Sequence, residues 1–87
     1  MEQNINKQNK RTFAEIACEI KQTWKNVYFG AVPYLQAMLT INSSDKNACY
    51  IMESAETIVT YFLANATYWR GEDARRIKAE LKSMIKK

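Results

Sequence analysis

The sequence predicts an all-α protein, a compact bundle of four helices of which the second is short. Apolar side chains recur at spacings of three and four along most of the chain, which is the period of a helix with one buried face. The two glycines and the single proline fall between these periodic segments, where the chain is expected to turn. With 87 residues, the chain has the size of one domain.

The domain is predicted to cover residues 12–87, preceded by a disordered N-terminal arm at residues 1–11. The arm, MEQNINKQNKR, has only Met1 and Ile5 as large apolar side chains. Burial therefore cannot offset the conformational entropy that would be lost if the arm became ordered.

The first helix is predicted over about residues 12–28. Thr12 and Glu15 have the spacing of a capping box, in which each side chain accepts a hydrogen bond from the other residue's backbone N–H. The apolar stripe consists of Phe13, Ile16, Ala17, Ile20, Trp24 and Val27. Gly30 is expected to supply the permissive backbone that lets the chain leave this helix.

The second helix is predicted over about residues 33–42, because Pro33 is tolerated in a first turn, where its missing N–H is not needed. The third is predicted over about residues 45–69, after the polar turn NSSDKN. Its apolar stripe is Ala48, Ile51, Ala55, Ile58, Phe62, Ala66 and Trp69, widened by Met52, Val59 and Leu63. Two alternatives stay open: a strand at the β-branched stretch TIVTYFL, and a new helix that starts at Ser54.

The fourth helix is predicted over about residues 72–86, with Gly71 ending the helix before it. Glu72 and Asp73 in the first turn and Lys86 near the end suit the helix dipole. Its apolar stripe is Ala74, Ile77, Leu81, Met84 and Ile85.

The composition predicts a protein that is not an enzyme and holds no cofactor or metal. Histidine is absent from the sequence, which removes the commonest metal ligand and the usual proton-transfer group. Cys18 and Cys49 have no histidine to activate them and are expected to be reduced thiols, with a disulfide between them as the alternative. No apolar run suits a signal peptide or a membrane span, so a cytoplasmic protein without a membrane partner is predicted.

Charge and aromatic side chains indicate a binding function. The net charge is +4, and residues 70–87 hold seven basic and three acidic groups. Arg75, Lys78, Lys82 and Lys86 share one sector of the fourth helix, a pattern typical of phosphate contacts or of a solvated outer face. Aromatic residues precede both glycines, where they either fill the ends of the bundle or form an interface.

The candidate partner-binding residues follow from these two patterns. The apolar anchors are predicted to be Tyr28, Phe29, Tyr34 and Trp69. The charged contacts are predicted to be Arg70, Arg75, Arg76, Lys78 and Lys82.

Two segments, FAEIACEIKQTWKNVYFGAVPYLQAM and IVTYFLANATYWRGEDARRIKAELKSMI, resemble a family of short proteins encoded by phages and conjugative elements of Gram-positive bacteria. The resemblance runs from Phe13 to Ile85. Small proteins of such elements commonly block host defences, and anti-CRISPR proteins are the leading example. The resemblance therefore implies a protein of the bacterial host's cytoplasm that inhibits a defence nuclease of the Cas9 type by direct protein contact.

Two other functions stay open at this stage. One is a nucleic-acid-binding accessory or regulatory protein of the mobile element, which would use the basic C-terminal helix. The other is a homo-oligomeric protein that associates through one apolar face.

Overall fold

A computed structural model describes residues 11–86, and in this range the protein consists of four α-helices and one short β-hairpin. The elements are α1 (Phe13–Thr23), a 3-10 turn (Phe29–Ala31), α2 (Val32–Leu39), β1 (Cys49–Tyr50), β2 (Glu53–Ser54), α3 (Ala55–Ala64) and α4 (Glu72–Ile85). The predicted mostly helical class with four helices, the second one short, is confirmed. The predicted disordered arm lies outside the described residues, apart from Arg11.

Helix α1 begins at the predicted capping box but ends earlier than residue 28. The Thr12 hydroxyl accepts from the Glu15 N–H at 3.1 Å, and the Glu15 carboxylate accepts from the Thr12 N–H at 2.9 Å. At the other end, the Thr23 hydroxyl donates to the carbonyl of Glu19 at 2.9 Å. Trp24 then takes an extended conformation, with φ −103° and ψ 93°. The helix stops here because this conformation brings the Trp24 ring against Trp69, with centroids 5.2 Å apart.

Gly30 is required for space rather than for backbone freedom, which corrects the sequence expectation. It lies in the 3-10 turn, and Ile51 and Gly71 are the residues with positive φ in the described part of the chain. A Cβ at Gly30 would lie 2.6 Å from Cε2 of Tyr28 and 2.8 Å from Oδ1 of Asn65. The glycine therefore lets the Tyr28 ring pack over the turn that leads into α2.

The predicted third helix is wrong between residues 45 and 54. The Ser43 hydroxyl accepts from the Asp45 N–H at 3.0 Å, and the Asp45 carboxylate accepts from the Asn47 N–H at 2.9 Å. These bonds hold a turn, because short polar side chains compete with the helix for backbone donors. Strands β1 and β2 follow and pair antiparallel, with Tyr50 opposite Glu53.

The hairpin turn exposes two residues that the sequence places in the core. Ile51 is 80% and Met52 is 91% exposed. Ile51 has φ 59°, since a two-residue turn between antiparallel strands needs a positive φ at its first position. The apolar period that includes both residues therefore does not reflect a buried face.

Helix α3 starts at the position that the sequence offers as its alternative. The Ser54 hydroxyl accepts from the Thr57 N–H at 3.2 Å and caps the helix. Residues 57–63 are helical, so the alternative of a strand is wrong. The helix ends at Ala64 rather than at residue 69. Here the N–H groups of Asn65 and Ala66 donate to the carbonyls three residues earlier, at 3.0 and 3.2 Å, and the Asn65 side-chain amide donates to the carbonyl of Tyr61 at 2.9 Å.

The core lies where α2 and α4 each pack against both α1 and α3. Its largest fully buried side chains are Phe13, Ile16, Ile20, Met38, Val59, Phe62, Ile77 and Leu81. The first turn of α1 is bound to the segment after α2, because Phe13 N–H donates to Ser43 O at 2.9 Å and Ala14 N–H to Ile41 O at 3.0 Å. Two N-terminal donors that α1 itself cannot satisfy therefore also fix the position of α2. No helix in residues 11–86 has both the length and the apolar character of a membrane span.

Candidate partner-binding site

Three aromatic side chains meet at the surface between the 3-10 turn and the turn that follows α3. Tyr28 is 39% exposed, and Phe29 and Tyr68 are each 79% exposed. The ring of Tyr28 lies 4.9 Å from that of Phe29 and 6.4 Å from that of Tyr68, measured between centroids. These three residues form the aromatic patch. Tyr28 and Phe29 were predicted site residues. Tyr68 was not among the predicted anchors, although the sequence makes it a candidate for partial exposure.

Two of the predicted anchors, Trp69 and Tyr34, do not belong to the aromatic patch. Trp69 is only 4% exposed and stacks on Trp24 at 8° between ring planes. Trp69 is therefore a core residue, not an exposed anchor, because the thin bundle uses its large ring to fill one end. Tyr34 is half-buried, and its ring neighbour is Tyr61 at 5.5 Å.

Four of the five predicted cations form the basic cluster: Arg70, Arg75, Lys78 and Lys82. Arg70, Arg75 and Lys78 line one cleft, and the charge of Lys82 acts on Lys78. The Lys78 ammonium donates to the carbonyl of Trp69 at 2.7 Å and lies 5.9 Å from the centre of its ring. Partial burial lowers the pKa of Lys78, and the positive charges of Lys82 and Arg70 lower it further. Among residues 11–86, no acidic oxygen lies within 4 Å of a charged nitrogen of this cluster.

Two clefts join the aromatic patch to the basic cluster, and both are lined by Trp69 and Arg70. The first, of about 350 Å³, is completed on its basic side by Arg75 and Lys78. The second, of about 480 Å³, is completed by Tyr28 and Tyr68 together with Lys25 and Trp24. We call the aromatic patch, the basic cluster and these two clefts the docking face. Lys25 was missed by the sequence analysis because only the tertiary fold brings the end of α1 beside the 65–71 segment.

The fifth predicted cation, Arg76, belongs to an ion-pair network instead. Its guanidinium donates to Glu19 at 2.7 Å and to Asp73 at 3.0 Å. The Arg11 guanidinium donates to the same Glu19 carboxylate at 2.6 Å and to both carboxylate oxygens of Glu80. The network ties α4 to α1, so Arg76 has a structural role that its place in a basic helix does not reveal.

Glu19 gives this network a predicted pH dependence. Hydrogen bonds from Arg76 and then Arg11 lower the pKa of Glu19 from 4.5 to about 2. Because the folded-state pKa lies below the unfolded value, the stabilisation is complete above about pH 4.5 and is lost as the pH falls toward 2. We expect Glu19→Gln to lower the free energy of unfolding by about 1 kcal/mol near neutral pH, since the arginine partners are partly exposed and screened.

Urea denaturation from about pH 6 down to about pH 2.5 tests this expectation. The difference between wild type and Glu19→Gln should shrink as the pH falls through 4. The exposed Glu53→Gln is the control, because Glu53 forms no ion pair with the described cations. A difference that stays constant over this range would show that the charge of Glu19 does not stabilise the fold.

Other reactive side chains lie outside the docking face. Cys18 and Cys49 are both exposed and unpaired. Among residues 11–86, no three side chains of histidine, cysteine, aspartate or glutamate converge to hold a metal ion. Comparison of the chain with protein-family models, with curated proteins and with solved structures gives no match. The function is therefore inferred from the geometry of the docking face.

Proposed function

We propose that this protein is a non-enzymatic binding protein that inhibits a host defence nuclease of the Cas9 type by direct contact through its docking face. The observation that carries the proposal is the aromatic patch, in which three exposed rings lie together. Clustered exposed apolar surface is characteristic of interaction sites. Tyrosine and arginine are also the residues, with tryptophan, on which interface energy most often concentrates.

The basic cluster defines the chemistry of the partner's surface. Arg70 and Arg75 are exposed and make no ion pair with the described acids, so an acidic surface can pair with them. Carboxylates that hold the metal ions of a nuclease form such a surface. The aromatic patch then anchors the contact while the basic cluster orients it. On this proposal the protein acts in the cytoplasm of the bacterial host.

Guided DNA cleavage by a panel of Cas9-type nucleases from Gram-positive bacteria tests the proposal. We expect wild-type protein to inhibit at least one nuclease near one-to-one stoichiometry. The double variant Phe29→Ala/Tyr68→Ala should weaken the inhibition at least about tenfold, because it removes two exposed rings from the anchor. Tyr61→Ala is the matched control, since Tyr61 is 51% exposed but lies outside the docking face.

Two results would contradict the proposal. One is that no nuclease of the panel is bound or inhibited. The other is that Tyr61→Ala weakens inhibition as much as the double variant, which would place the contact elsewhere on the surface.

The basic cluster favours a second candidate, a nucleic-acid-binding accessory or regulatory protein of the mobile element. Cations that converge without described acidic partners are the usual footprint of phosphate binding. Gel shifts on random duplex and guide-type RNA, repeated at rising salt, separate the two candidates. Steep salt-dependent binding supports nucleic acid as the ligand, whereas binding to a nuclease without bound nucleic acid supports the inhibitor.

A further inference from the structure

We propose that the docking face binds a single strand of nucleic acid, with a phosphate in the cleft beside Arg75 and an adjoining base on the ring of Tyr68. This inference rests on the second candidate function and names the form of nucleic acid and the place of its parts. It assigns the docking face to nucleic acid instead of the acidic protein surface of the inhibitor proposal, so the two proposals exclude each other at this face.

The first cleft has the donors that a phosphodiester needs. Arg70 and Arg75 offer planar guanidinium groups that can each grip two phosphate oxygens. The Lys78 ammonium donates one of its three hydrogens to the carbonyl of Trp69, so two remain to bind a ligand. The mutual repulsion of Lys78, Lys82 and Arg70, which contributes to the lowered pKa of Lys78, is relieved when an anion lies among them.

The second cleft has the flat apolar surfaces that a base needs. Tyr68 is 79% exposed, and the edge of this cleft also includes Tyr28. Stacking on such rings tolerates any sequence, because every base has a π-face. Lys25 lies in the same cleft and can contact the next phosphate along the strand.

The two clefts lie next to each other, and this arrangement favours a single strand over a duplex. Trp69 and Arg70 line both clefts, so a phosphate site and a base site are immediate neighbours, as phosphate and base are within a strand. A duplex keeps its bases stacked on one another and offers only their edges in the grooves. Its bases therefore cannot lie on Tyr68 while its backbone occupies the cleft beside Arg75.

Fluorescence anisotropy with a labelled thymidine strand of about 12 nucleotides tests the inference, with a duplex of the same length as the comparison. We expect the strand to bind more tightly than the duplex. The plot of log K against log salt should have a slope of about −1.4, which corresponds to the two phosphates placed at Arg75 and Lys25 on a single strand. Arg75→Ala should make this slope shallower by about 0.7.

Two matched pairs of variants locate the strand. Tyr68→Ala should weaken binding by roughly 5- to 150-fold, the range for loss of one stacked base. Tyr61→Ala, which removes a half-exposed ring outside the clefts, should leave binding unchanged. Arg75→Ala should weaken binding, whereas Lys86→Ala removes the same charge from outside both clefts and should change it little. Circular dichroism checks that each variant is folded.

Three outcomes would overturn the inference, and they differ in what else they exclude. The first outcome is that the duplex binds as tightly as the strand and Tyr68→Ala does not change binding. The protein would then still bind nucleic acid, but no base would stack on Tyr68. No binding to either probe at about 50 mM salt removes the second candidate function as well. The third outcome is that polyglutamate with the same number of charges as the strand binds equally tightly and displaces it. The docking face would then recognise an acidic protein surface rather than a nucleic acid.

Discussion

Replacing Trp69 by alanine is expected to lower the free energy of unfolding by about 3–5 kcal/mol, the usual cost of removing a buried tryptophan. The Trp69 ring is 4% exposed and stacks on Trp24, which in turn meets the edge of Phe62 at 6.2 Å between centroids. Alanine would leave a cavity between the end of α1 and the segment 65–71. The helices on either side hold both segments, so they cannot move together to fill it. Because small domains have only about 5–15 kcal/mol of stability, this change removes a large fraction of it.

Urea denaturation followed by circular dichroism measures the effect of Trp69→Ala. The neighbouring Tyr68→Ala is the matched control, because its ring is 79% exposed and its loss should change stability by no more than about 0.5 kcal/mol. Equal stabilities of the two variants would show that the stacked tryptophans do not form part of the core.

Replacing Gly71 by alanine is expected to lower the free energy of unfolding by about 1–3 kcal/mol. Gly71 has φ 113° and ψ −178°, a region of backbone space that residues with a Cβ avoid almost completely. A Cβ at this position would meet no other atom within 4 Å. The whole loss would therefore come from backbone strain, and steric collision would contribute none of it.

Gly30→Ala provides the contrasting case for this measurement. Gly30 has no positive φ, and the atoms that its Cβ would meet belong to the ends of the Tyr28 and Asn65 side chains. These side chains can move, so a smaller loss is expected than for Gly71→Ala. If Gly71→Ala unfolds at the same urea concentration as wild type, the turn into α4 does not have the described backbone.

Both glycines illustrate how far a sequence pattern reaches. The sequence correctly placed chain turns at Gly30 and Gly71, but it assigned both to the ends of preceding helices. In the structure α1 ends at Thr23 and α3 at Ala64, and Trp24 and Trp69, which follow these helix ends, stack on each other. Patterns of neighbouring residues cannot predict this stacking, because Trp24 and Trp69 lie 45 positions apart in the sequence (69 − 24).

The candidate site shows the same division. Periodicity predicted that Arg75, Lys78 and Lys82 share one side of α4. In the structure Arg75 and Lys82 are exposed, Lys78 is half-buried, and Ile77 and Leu81 are buried. Periodicity could not separate these cations from Arg76, which pairs with Glu19 on α1. It also could not separate the exposed Tyr68 from the buried Trp69, since the two are adjacent and lie in a turn.

The sequence by itself determined the helical class, the capped start of α1 and the buried stripes of α1 and α4, because capping and helical period depend on residues within a few positions of one another. Only the tertiary structure decided that residues 45–54 form a turn and a hairpin, that Trp69 is core, and that Arg70 and Tyr68 share a surface. Those outcomes depend on which distant side chains can fill the end of a thin bundle, and a local pattern of apolar and polar residues does not contain that information.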